Sequence, residues 1–159
     1  MSATLTWKES NTVSEVVTTA TNLNFGASDS PNLVVATYPI RRGTNSFDKY
    51  IRILFSGTWT TISNMLFWKS AGTLLTDEVI NCGYNKTFAT PSQTTNGDSA
   101  VPTTSGGSSA IQSDAGNATI VYGVDTGYTK YLRLQTRSTT STPTGAANQK
   151  TFIFQWDEV

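Results

Sequence analysis

Six carboxylates stand where chemistry could be sought in this chain: Asp77, Glu78, Asp114, Asp125, Asp157 and Glu158. Two such groups at a suitable separation hydrolyse glycosides, one protonating the leaving group while the other attacks or activates water. Their surroundings argue against that use. Neighbours such as Asp77 and Glu78 point to opposite faces of a strand, and Asp114 and Asp125 sit close to glycines, where aspartate is a turn residue. The chain also contains no histidine. That removes Ser-His-Asp and Cys-His nucleophiles, histidine-ligated zinc and the commonest base near neutral pH. No catalytic residue is assigned, and a non-enzymatic protein is expected.

The remaining polar motifs read as turns. "DAGN" at Asp114 to Asn117 and "DSPN" at Asp29 to Asn32 could offer oxygens to calcium, which needs about six to eight of them, but neither has the spacing of an EF-hand loop. No metal or cofactor is expected. Cys82 is the single cysteine, so no internal disulfide can form. The sequons at Asn85 and Asn117 carry little weight, because the opening residues lack the pattern of a secretory signal.

Binding chemistry is better represented. Four tryptophans, with Tyr84, Tyr122, Tyr128 and Tyr131, could form a platform for stacking on sugars. Trp68 and Trp156 fit a core, whereas Trp7 and Trp59, flanked by polar residues, are candidates for exposure. In "PIRRG", Arg41 and Arg42 stand side by side; the plain reading is a solvated turn, and the sharper one is a pair of planar donors for a partner's carboxylates.

These residues must be positioned by strands. Thr, Ser, Gly and Asn dominate, and only 14% of residues are charged. In "KYIRILFSG" Ile51, Ile53 and Phe55 share one face, and after Gly57 the run "WTTISNMLFWKSAG" places Ile62, Leu66 and Trp68 at even positions and Met65 and Phe67 at odd ones. Two adjacent strands, the central hairpin of the core, are predicted, covered on both sides toward Trp68. "KYLRLQTRST" alternates through Leu132, Leu134 and Thr136, and "KTFIFQWDEV" through Phe152, Phe154 and Trp156; Pro143 and Gly145 mark the loop between them. "TLTWKES", "SEVVTTATNLNFG", "NLVVATYPIRRG" and "NATIVYG" are read as further strands. The single helical hint is a turn at "TDEVINCG", with Thr76 as its cap.

The length suits one domain, residues 1 to 159, and the pattern predicts an all-β antiparallel sandwich of roughly eight strands, jelly roll preferred over immunoglobulin-like. Thr90 to Asn117 stands apart: it is rich in Ser, Thr, Gly and Pro, with Val101 and Ile111 as its large apolar residues. It reads as a long excursion from the sheet, ordered against a neighbouring subunit, with those two side chains as contacts. Its deletion is expected to leave a folded domain. Lys+Arg and Asp+Glu number 11 each, which gives no reason to expect a nucleic-acid or membrane partner.

The run "NLNFGASDSPNLVVATYPIRRGTNSFDKYIRILFSGTWTTISNMLFWKSAG", the Ser/Thr/Gly-rich excursion and the ending "FIFQWDEV" resemble decoration, or cement, proteins of tailed-bacteriophage capsids. The resemblance implies a β-rich protein, made in the host cytoplasm and residing on the virion surface. It further implies a homo-oligomer, a trimer for preference, that clamps neighbouring major capsid subunits. Trp7, Arg41, Arg42, Trp59, Val101 and Ile111 are the candidate partner-binding residues, taken from their own chemistry rather than from the family. The alternatives are a tail-fibre or receptor-binding domain recognising host glycans, and a carbohydrate-binding module.

Overall fold

The computed structural model describes residues 2–143 and 148–159, so Gly145 lies outside the described residues. Within them run eight strands: β1 (Ala3–Asn11), β2 (Val16–Thr19), β3 (Lys49–Gly57), β4 (Thr61–Ala71), β5 (Val79–Lys86), β6 (Ile120–Val121), β7 (Tyr131–Arg137) and β8 (Thr151–Glu158). Among the described residues a single 3-10 turn spans Ser105–Gly107, and no helix is long and apolar enough to cross a membrane.

Two antiparallel sheets face each other, one ordered β2-β1-β3-β7-β5 and the other β6-β4-β8. From β3 onward successive strands alternate between the two sheets. The fold is therefore an all-β sandwich, as expected. β1 and β2 extend the larger sheet beyond β3, which accounts for the imbalance of five strands against three.

The core follows the alternation read from sequence. Ile51, Ile53 and Phe55 from β3 meet Leu132 and Leu134 from β7, and Ile62, Met65 and Phe67 oppose them from β4. The switch from even to odd in β4 has a local cause. Between the pairs Ser63–Asp157 and Leu66–Gln155 the register slips by one residue, and Asn64 has φ of +50°. This bulge turns the strand over, so Met65 and Phe67 face the same interior as Ile62. Phe152, Phe154 and Trp156 of β8 pack, partly buried, against the core, while Ile153, Gln155 and Asp157 face out.

Three expectations are corrected. β3 and β4 are not a hairpin: they lie in opposite sheets, joined by an arch that begins at Gly57. That residue has φ of +100°, and a Cβ there would stand 2.7 Å from Ser2 O, so both conformation and space call for glycine. Residues 33–40 form turns rather than a strand. Ala27 N donates to Tyr38 O at 2.9 Å and closes the loop, and buried Leu33 plugs it. The valines there have β propensity but no edge to pair with. The helical turn at Thr76 is also absent; a turn in which Glu78 N donates to Leu75 O leads straight into β5, with Asp77 at φ of +59°.

The segment 90–117 differs most from expectation. It closes one flank of the sandwich by bonding to strand edges in both sheets. Cys82 N donates to Ser99 O and Val101 N to Ile80 O, adding a short strand outside β5. Lys69 N donates to Pro102 O and Ile111 N to Met65 O, and Phe67 N donates to Ser108 Oγ at 3.0 Å, covering the edge of β4 beyond β6. Upstream, buried Gln135 holds the segment through Nε2 to Thr94 O at 2.9 Å and by accepting from Asn96 N. Its few apolar residues suffice because backbone groups pair with the edges, an ordering term that apolar content does not reveal.

Candidate interaction surface

The candidate residues separate sharply by burial. Trp59 is 6% exposed, Val101 7% and Ile111 1%, and all three belong to the core. Their assignment to a partner surface is therefore overturned. Trp59 packs edge-on against Phe55 and Tyr122, with ring centroids 6.3 and 5.1 Å apart. Val101 and Ile111 are the plugs by which the 90–117 segment fastens to the sandwich. Trp7 is half-buried, set edge-on to Phe67 and Phe154 at 6.1 and 5.9 Å. One side of it lines an apolar pocket of about 250 Å³, shared with Leu23, Ile51 and Phe152.

Arg41 and Arg42 are exposed, on a turn built to hold still. Thr44 donates to Arg41 O through both N, at 3.1 Å, and Oγ1, at 2.6 Å, and Ser138 Oγ adds a third donor at 3.3 Å. Gly43 N donates to Thr139 O, and Arg42 Nη2 donates to Thr140 O. The turn is thus bound to the 138–140 loop that follows β7, and Asn45 bridges to Arg137, a third cation on that strand's end. Two guanidinium groups on a fixed backbone lose less entropy on binding than two on a free loop.

Apolar surface adjoins them. Val34, Val35 and Tyr38, on the closed loop, are 61%, 45% and 43% exposed. The approach to that loop is fastened to the β1–β2 hairpin: Asp29 accepts from Thr12 N at 2.8 Å, and Asn32 Oδ1 accepts from Thr21 N at 2.7 Å. Exposed Val16 and Val17 lie on β2 itself. Between residues 33 and 47 there is no acidic residue. An exposed valine-tyrosine tip beside paired arginines suits a partner with an apolar recess rimmed by carboxylates.

The carboxylates weighed for catalysis have structural tasks. Glu78 accepts from Lys150 Nζ at 2.9 Å and from Leu75 N, Asp125 from Val121 N, Asp114 from Thr126 Oγ1, Asp157 from Asn64 Nδ2, and Glu158 from Ala3 N. Both oxygen-rich turns are turns indeed: in "DAGN" Ser113 N donates to Asn117 O, and in "DSPN" Asp29 and Asn32 bind backbone N–H groups. Among the described residues no three His, Cys, Asp or Glu side chains gather to hold a metal ion.

A second, polar hollow of about 450 Å³ lies against β5, lined by Cys82, Lys86, Asp98 and Ser109. Asp98 bridges Lys86 Nζ at 2.8 Å and Arg133 Nε at 2.7 Å, so its charge is met within the fold. Burial pushes the Cys82 thiol up to about 12, which leaves it protonated at neutral pH and unreactive. No protein-family model, curated protein or solved structure matches this chain.

Proposed function

We propose that the protein is a structural virion component that binds the outer surface of a phage capsid and stabilises it by clamping neighbouring major capsid subunits. The observation that carries this reading is the pinned Arg41–Arg42 turn beside the exposed Val34, Val35 and Tyr38. The resemblance of residues 20–72 and the last strand to capsid cement proteins supplies the partner. Such a clamp works by avidity: each protomer of a homo-oligomer, a trimer for preference, makes a modest contact, and the linked contacts release together or not at all. No catalytic step is required of it.

Copy number tests the reading. Quantitative mass spectrometry of purified virions should count about one chain per major capsid subunit, as shell-wide symmetry would require. A handful of copies per particle would indicate a tail or fibre part, and absence from the particle would overturn the proposal.

The glycan-binding alternative rests on the pocket at Trp7 and on the exposed loop residue Tyr122, since Trp59 is buried. A sugar seated there would stack on the indole. A shift in tryptophan emission on adding host polysaccharide, abolished in Trp7→Phe, would favour that reading over the capsid one.

A further inference from the structure

Lys49 opens β3 with its ammonium group sealed inside the protein. Its side chain and that of Glu9 are each 1% exposed, and Nζ lies 2.6 Å from Glu9 Oε1. Continuing the β1–β3 register one step beyond Ser10 and Tyr50 puts Asn11 opposite Lys49. Residues so opposed share a face of the sheet, with Cβ atoms about 5 Å apart. Asn11 Nδ2 donates to the same Glu9 Oε1 at 3.0 Å and to Asp29 Oδ1 at 2.7 Å, and Lys49 Nζ also donates to Ser30 O at 2.7 Å. One buried carboxylate oxygen thus bridges an amine and a carboxamide.

Among the described residues, two acceptors in this cluster lack a donor: Glu9 Oε2 and Asn11 Oδ1. Buried acceptors without donors are costly, and so are buried charges. Moving one proton from Nζ to Oε2 answers both. The carboxylic acid can then face the carboxamide as a cyclic pair, Nδ2–H donating to Oε1 and Oε2–H to Oδ1. The same shift leaves a neutral amine beside a carbonyl polarised by an acid, which is a nucleophile beside an activated electrophile.

We propose that Lys49 and Asn11 join through a self-catalysed isopeptide bond, with Glu9 carrying the protons. The lone pair on Nζ attacks Asn11 Cγ, the carbonyl π electrons move to Oδ1, and Oδ1 takes the proton held by Glu9. The Glu9 carboxylate then removes one proton from Nζ and delivers it to Nδ2. As the carbonyl re-forms, Oδ1 returns its proton to Glu9, the Cγ–Nδ2 bond breaks, and its electron pair departs on ammonia. An ammonium, a carboxylate and a carboxamide become a secondary amide, a carboxylic acid and ammonia, with no change of oxidation state. The bond ties β1 to β3 covalently and does not depend on what the protein binds.

Mass spectrometry of the intact, denatured chain decides. The expected mass is lower than the sequence mass by one ammonia, with or without Met1. Trypsin should then leave residues 9–41 joined to residues 43–52, uncut after Lys49. Succinimide formation at Asn96-Gly97 would also lose ammonia but yields no branched peptide. Glu9→Gln, which cannot relay the proton as a carboxylate does, should restore the full mass. Should that variant fail to fold, the wild-type peptide map still answers. A folded wild-type chain at full mass, with cleavage after Lys49 and separate peptides, overturns the proposal.

Discussion

Asp98 shows how a single side chain ties acid sensitivity to the fold. Burial by itself would raise its pKa, but the hydrogen bonds from Arg133 and Lys86 outweigh that and hold the carboxyl below its usual value. A depressed folded-state pKa means that the unfolded chain binds more protons in the window below about pH 4. The stability from Asp98 is therefore complete above that pH and disappears as the pH falls through the folded value. Asp98→Asn should remove this contribution, so that urea midpoints of variant and wild type differ at pH 6 and converge toward pH 2. Equal separation at both pH values would refute the assignment. Cys82 offers a second test at this scale. With its thiol raised to about 12 chiefly by burial, the folded chain should resist iodoacetamide at pH 8 and react only once denatured.

The 90–117 segment decides matters at the scale of the element. Because it supplies Val101 and Ile111 to the core and covers the edges of β5 and β4, its removal should unfold the domain rather than spare it. Loss of cooperative thermal unfolding in the deletion would verify this. A finer probe is Ile111→Ala, expected to cost about 2–4 kcal/mol through lost burial and the cavity left behind. The measurement is a denaturant midpoint at unchanged slope. β3, β7 and β8 were legible because each alternates cleanly, and β4 was legible apart from its bulge. The excursion was not, because its order comes from backbone hydrogen bonds to strands distant in sequence.

For the whole molecule, the capsid reading makes the arginine turn dispensable to folding and needed for attachment. Arg41→Ala with Arg42→Ala should leave the thermal midpoint within a few degrees, as exposed substitutions usually do. It should weaken co-sedimentation with undecorated capsid shells by about tenfold or more across a linked oligomer. Unchanged binding by the folded double variant would move the contact elsewhere. Raising salt should weaken the wild-type attachment as well, because exposed charge pairs are screened over about 8 Å at physiological ionic strength.

From sequence alone came the class of the fold, the strands whose faces alternate, and Arg41 and Arg42 as a paired cationic turn. Local pattern carries these, since a period of two and a glycine-bearing turn are properties of neighbours in the chain. Tertiary structure decided which strands pair, that β3 and β4 belong to opposite sheets, and that Trp59, Val101 and Ile111 lie inside. It also brought Glu9, Asn11 and Lys49 together, residues whose local context shows nothing unusual. Strand order and burial arise from contacts between segments far apart in the chain, and no window of sequence contains both partners of such a contact.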